Sequence, residues 1–493
     1  MMGENSCPVV GYRHCLMVLG LTGLAICYIM RISPGITIIS MINSGKNGNQ
    51  STGEFSWSPI EENAILSSFF YTYCATQLPA GLVAQRIGGK WTFAAGVAVC
   101  GLICLILPPL VRSGKFIAFL LLRLAEGLAQ GFCYPSLHRI VGHWFPPEEY
   151  TFLAGIMHSG YIVGTVLALL CSGFLIEAPF NGSWPLPFYV SGTLAFLWLP
   201  FWILFVSETP SSHNWIGVAE RNYIESSLRC SEHHRSDRTI PWRRIFTSSQ
   251  VWLLMLCNFM DSWSNYTILV CVPQYLDSVL HLPISTNGAL SAVPYIAALF
   301  LTLLLAPVDT MLIKRGWLSI PRARKLWSSI SAFGKSILLL TIAYSNPEHK
   351  VLVISLLVLN VMMSSVMLLG FNLADLDLAP PYAGFLYAVF NACSTLSGML
   401  APLVVGFFTN AYSPQVAWRN VLVLASAISC LCAVLYVLFG RAGLLDWIVD
   451  RQCDYTDRPD VLYTQLDQQN DFIEEINSES IEETEIQVNF TTC

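Results

Sequence analysis

The chain has 493 residues, 54% of them hydrophobic and 12% charged, with a mean hydropathy of +0.55. A soluble protein of this length carries about twice that charge, so water-soluble domains are excluded and the repeated apolar runs of span length mark a polytopic membrane protein. The net charge of −6 says little, because the acidic residues crowd a tail that holds no Lys or Arg from Asp467 onward; nothing in it calls for a nucleic-acid partner.

Residues 1–13 are short and polar, without a small-residue cleavage site, so the first apolar run is expected to stay as a span. Apolar runs and breakers predict helices near 14–42, 62–85, 90–111, 115–141, 150–177 and 186–207. A polar linker over 208–250 follows, and then helices near 251–278, 287–312, 322–345, 350–372, 382–409 and 416–440. The expected fold class is therefore an all-α polytopic membrane protein. Its twelve transmembrane helices form two six-helix bundles, 14–207 and 251–440, ahead of an acidic tail, 441–493, expected to be disordered.

The basic residues set the orientation. With 1–13, the linker and the tail in the cytosol, 18 Lys and Arg fall on the cytosolic side and five on the other, as the positive-inside rule requires. The sequons at Asn49 and Asn181 then lie on the non-cytosolic side and are expected to be glycosylated. Those at Asn265, within a span, and Asn489, in the tail, are expected to stay bare. The halves also echo each other. "GLVAQRIGGK" (81–90) follows the second helix and "APVDTMLIKR" (306–315) the eighth. Such internal symmetry predicts a two-bundle transporter with its site at the bundle interface near mid-membrane.

The sixteen cysteines lie mostly within apolar runs and lack metal-like CxxC spacing, so neither a disulfide framework nor a metal site is expected. There is no phosphate loop, no HExxH and no nucleophile–base pairing, which argues against an enzyme, and no cofactor is called for.

Ionisable residues inside spans are costly and usually face a cavity. In "RLAEGLAQGFCYPSLH" (123–138), Arg123, Glu126 and Gln130 share one helical stripe, while Gly127 and Gly131 form a packing face beside it. Arg31, in "CYIMRISPG", precedes Ser33, Pro34 and Gly35, where the first helix is expected to kink. Two arginines on one lining make a positive cavity able to grip a carboxylate. The competing reading is mutual neutralisation of Arg123 and Glu126, but a buried pair rarely repays its desolvation as mere glue. Glu126 is expected to carry the coupling proton. Burial disfavours its charge and the guanidinium favours it, so a substrate drawing on Arg123 would let Glu126 take a proton.

In the seventh helix, Asp261 lies among Asn258, Trp263, Asn265 and Tyr266. This cluster either lines the cavity, with Asn258 and Tyr266 touching substrate and Asp261 a second proton-coupling candidate, or is a structural polar patch. His138 is a third proton-coupling candidate, although a lone histidine there is commonly structural. Lys335 is expected to snorkel or pack, and Asp375 and Asp377 are expected at the membrane interface. Tyr463–Leu466, "YTQL", resembles signals read by sorting adaptors.

Several ordered stretches together resemble the anion–cation symporter family of the major facilitator superfamily, the group of sialin, the vesicular glutamate transporters and the phosphate/urate-type transporters. They are "SSFFYTYCATQLPAG" (67–81), "RLAEGLAQGFCYPSLH" (123–138), "WFPPEE" (144–149), "LSAVPY" (290–295), "LDLAPPYAG" (376–384) and "LSGMLAP" (396–402). The resemblance implies the major facilitator fold and secondary transport of organic anions, coupled to protons or sodium. It makes Arg31 and Arg123 substrate-binding residues and Glu126 the first of two acidic positions in sialin, the second being Gln130 here. Leu66 stands where the glutamate transporters carry a histidine. Asp261 replaces an arginine or tyrosine, and Asp375 a histidine. A monomer is expected, in a lysosomal, vesicular or plasma membrane.

Overall fold

The computed structural model describes residues 11–42, 54–177, 184–232, 241–379, 383–441 and 445. Asn49, Asn181, the tail sequon and Tyr463–Leu466 lie outside the described residues. Within them the chain is helical, with no strand.

The first span, α1, runs from Tyr12 to Ile42 and is interrupted at Ser33. Pro34 lacks an amide hydrogen and breaks the ladder beside Arg31, the kink expected from sequence. The second, α2, is Pro59–Ile87. Ser58 caps it, accepting from the Glu61 amide while Glu61 returns a bond to the Ser58 amide, with proline at the first position. Next comes a 43-residue helix, Gly89–Gly131, broken only at Lys115, where φ is 51°. It is two spans: α3 (89–114) and α4 (116–131, continued by Cys133–Trp144). The sequence predicts a gap after 111. The chain instead reverses through a single left-handed residue.

The remaining spans are α5 (Pro147–His158 continued by Gly160–Glu177), α6 (Pro185–Phe205), α7 (Ser249–Ser278), α8 (Ile284–Lys314), α9 (Ile320–Tyr344), α10 (Lys350–Leu368), α11 (Ala383–Ala411) and α12 (Pro414–Phe439). Among the described residues nine helices are long and apolar enough to cross a membrane on composition. The joined pair α3–α4 counts once there, and α2 and α7 are too polar to count.

The halves meet along α2 with α11 and α5 with α8. Small residues allow the approach: a side chain on Gly288 would run into the Leu169 carbonyl and Gly173 of α5. Gly127 plays the same role within the first bundle, lying against the Phe69 carbonyl of α2. Lipid-facing positions are apolar and exposed, among them Phe300, Leu304 and Ile337.

The near side of the molecule, where Gly11 and Arg441 lie, is stitched by charge. Arg13 is 3% exposed and bonds Glu149 at 2.7 Å and Glu220 at 3.2 Å. Glu220, from a linker helix (Val218–Glu232), also accepts from the Tyr12 and Arg13 amides and so caps α1. On the far side, Glu54 takes the Arg112 guanidinium at 2.7 Å and the Trp184 indole at 2.6 Å. Burial pushes the Glu54 carboxyl up, but these hydrogen bonds outweigh it and hold it below the usual range.

Candidate functional site

The break in α1 places Arg31 at mid-span, facing α2, α4 and α7. Arg31 is 5% exposed and its guanidinium lies over four rings: Tyr28 at 5.3 Å, Phe69 and Phe70 at 4.8 Å and Tyr73 at 4.9 Å. Across the bundle boundary, Arg31 Nη2 donates to the Tyr266 hydroxyl at 3.3 Å. Its Nε is buried without a hydrogen-bond partner. No carboxylate pairs with Arg31 among the described residues. Ring faces attract a guanidinium but do not cancel its charge, so a full positive charge sits at the bundle interface.

Arg123 also lies over the Phe69 ring, 4.9 Å from its centroid. Its Nη1 donates to Glu126 Oε2 at 2.7 Å and its Nη2 to the Arg31 carbonyl at 3.3 Å. Glu126 is 1% exposed, and its Oε1, like Arg123 Nε, has no partner. Gln130 extends the stripe by donating to the Cys27 carbonyl at 2.8 Å, an oxygen of α1. A small cavity between the bundles is lined by Arg31, Arg123, Leu66, Phe70, Val270 and Pro273. It faces Arg31, the arginine without an acid, whereas Arg123 is charge-balanced by its neighbour.

The other predicted residues are placed differently. Asn258 donates to the Leu254 carbonyl of its own helix at 2.8 Å, about two turns from Tyr266, and does not join the Arg31 shell. Asp261 turns into the second bundle, where Lys335 Nζ of α9 meets its Oδ1 at 2.7 Å and Asn265 Oδ1 at 3.1 Å. Asn265 Nδ2 bonds the second Asp261 oxygen at 3.0 Å, and Ser364 donates to Asn265 at 2.7 Å. Of the two expectations for Lys335, snorkelling or packing, the structure has the second: it is 1% exposed, packed within the bundle and ion-paired. An ammonium buried at mid-span needs a counter-charge, and Asp261 supplies it.

Removing one partner leaves an uncompensated buried charge. Asp261→Ala and Lys335→Ala are therefore each expected to lower stability by about 3–5 kcal/mol. The double variant Asp261→Asn with Lys335→Met should lose less than the two single losses added. Thermal unfolding of the purified protein measures this; single variants as stable as the parent would show the pair contributes nothing.

His138 is not alone. Its Nε2 is 3.3 Å from Nε2 of His158 in α5, whose Nδ1 faces the Ala154 carbonyl at 2.6 Å. Asp377, expected at the interface, accepts from Arg324 at 2.7 Å in a cluster with Asp309, itself bonded by the Trp327 indole. The side chain of Asp375 lies outside the described residues. Sequence reasoning missed the ring cage: Phe69, Phe70 and Tyr73 stand in the quoted "SSFFYTYC", where an aromatic run beside two intramembrane arginines was the available signal.

The Major Facilitator Superfamily profile matches residues 20–402, with a second match over 254–443. Vesicular glutamate transporter 3 of Danio rerio is 32% identical over 444 residues, covering 88% of this chain and 74% of that transporter. The chain belongs to the anion–cation symporter family of that superfamily. Sialin of Homo sapiens is 28% identical over 459 residues (89% of this chain, 91% of sialin), and a putative inorganic phosphate cotransporter of Drosophila melanogaster 29% over 446 (86% and 84%). The fold is shared with an inward-facing, occupied bacterial homolog of the human lysosomal transporter Spinster, at a TM-score of 0.69 and 15% identity over 87% of this chain and 96% of that one. This family member is a membrane transporter and not an enzyme, and it has the twelve-helix major facilitator fold.

Proposed function

We propose that the protein is a proton-coupled secondary transporter of small organic carboxylates, such as an acidic sugar or acidic amino acid, working by alternating access. The observation that carries this reading is Arg31: a buried guanidinium at the bundle interface, with no acid to neutralise it among the described residues and an unbonded Nε beside a cavity. An anion is the ligand that such a charge lacks. Arg123 and Arg31 grip it together, both over the Phe69 ring. Glu126 Oε1, without a partner, is the place for the coupling proton. Tyr266 links the second bundle to Arg31, so occupancy is felt by both halves.

Uptake into proteoliposomes under an imposed pH or sodium gradient, across a panel of carboxylates and phosphate, tests the reading. Carboxylate accumulation driven by protons supports it. Sodium-driven phosphate or urate uptake would replace it with the second reading, which the similarity to a putative phosphate cotransporter favours. Anion binding without movement under any gradient would make the protein a membrane sensor.

The near side is assigned to the cytosol by its excess of Lys and Arg, in a lysosomal, vesicular or plasma membrane. Expressed in a eukaryotic cell, the protein should carry glycan at Asn49 or Asn181 and none at Asn489; a glycosidase-sensitive mass shift abolished by Asn489→Gln would reverse the orientation.

A further inference from the structure

On the far side, side chains of α2 and α7 touch across the bundle boundary. Glu62 lies in the first turn of α2 and is partly buried. Gln274 lies in the last turns of α7 and is 8% exposed. Gln274 Nε2 donates to Glu62 Oε1 across the bundle boundary. The other half of the amide is unsatisfied, since Gln274 Oε1 is buried with no hydrogen-bond partner. Around this contact the halves are closed: Cys271 Sγ is 3.8 Å from Asn63 Oδ1, and Gly406 of α11 packs on the backbone at Pro59 and Ile60.

An ionised carboxylate only accepts hydrogen bonds, so it cannot satisfy a carbonyl oxygen. A carboxylic acid can. With a proton on Oε2, Glu62 donates to Gln274 Oε1 while its Oε1 still accepts from Nε2, closing a two-bond ring between acid and amide.

We propose that Glu62 is a proton-binding site whose protonated form latches the two bundles together on the far side. No cation pairs with Glu62 among the described residues. Asp277 and Cys271 face it from α7. Glu61 on its own helix is committed to capping Ser58. The helix α11 and the 34–42 segment of α1 contain no Asp, Glu, Lys, Arg or His. A proton is thus what can neutralise Glu62 and complete the bond to Gln274. Because the proton binds more tightly when the gate is shut, low pH favours closure, and the closure is lost as pH rises through the titration of the carboxyl. Glu62 stands in the first turn of its helix, at the far-side end, and would meter entry from that side only.

This inference rests on the alternating-access reading, and one experiment separates the two. Spin labels on unnatural amino acids at positions 113 and 412, both exposed on the far side and in different bundles, report the gap in the purified full-length protein without disturbing the sixteen cysteines. In substrate-free wild type the ratio of short to long distances should rise roughly tenfold between about pH 8 and pH 5, the scale of one buried group gaining its partner. Glu62→Gln, whose amide offers donor and acceptor together, should keep the short distance at both pH values. Gln274→Leu should lose the pH response. A wild-type distance indifferent to pH, or a Glu62→Gln variant that follows wild type, overturns the latch. If substrate anion moves the distance while pH does not, the latch alone fails; if nothing moves it, alternating access fails as well.

Discussion

Arg31→Ala is expected to reduce anion uptake by a hundredfold or more in a protein that still folds. The substitution removes a buried interface guanidinium that no acid neutralises among the described residues, and truncating one side of a buried charge contact costs about 2–5 kcal/mol. Arg31→Lys should rescue poorly. A lysine is a point charge on a flexible stem, whereas the planar guanidinium both forks to a carboxylate and lies flat on Phe69 and Phe70. Initial uptake rates in proteoliposomes, with circular dichroism and gel filtration as folding controls, decide the matter. Near-normal uptake by the alanine variant would reduce Arg31 to a structural cation held by its rings.

Glu126→Gln should separate movement from accumulation. The amide mimics the protonated carboxyl, keeps the hydrogen bond to Arg123 short of its charge, and leaves the helix stripe intact. Substrate should still exchange across the membrane in counterflow, while concentration driven by a pH gradient should fall to background. The physical basis is competition for Arg123. Its Nη1 is engaged with Glu126 at 2.7 Å, and an anion drawing on the same guanidinium weakens that hold, so the carboxyl takes a proton as substrate arrives. If Glu126→Gln still concentrates substrate when only protons supply the drive, the coupling proton resides elsewhere, with the His138–His158 pair the next place to look.

What was legible in the sequence was what is local. Apolar runs of span length give the twelve helices, because each must satisfy its own backbone in lipid. The pairing of Arg123 with Glu126 follows from a spacing of three on one helix. The kink beside Arg31 follows from Pro34. Contacts made by distant segments were not legible. Arg31 reaches Tyr266 across 235 positions and Lys335 reaches Asp261 across 74. For Lys335 a signal existed: it and Asp261 are opposite charges near the middle of two spans that both enter from the near side. Reading Lys335 alone favoured snorkelling or packing; reading depth against depth would have paired it. His158 and Gln274 gave no such signal, because neither residue is unusual until its partner is placed beside it. The polar α2 and α7 escape a count by composition for the same reason they matter: α2 packs along the partner bundle's α11, and α7 carries Tyr266, Cys271 and Gln274, which reach side chains of the first bundle.

The Asp261–Lys335 pair has a consequence for turnover. It silences the charge of the second bundle, which therefore offers the substrate a hydroxyl, Tyr266, and no counter-ion. In the proposed alternating-access cycle the anion would stay with the arginines of the first bundle, and the second would withdraw without breaking a salt bridge to it, one half the carriage and the other its door.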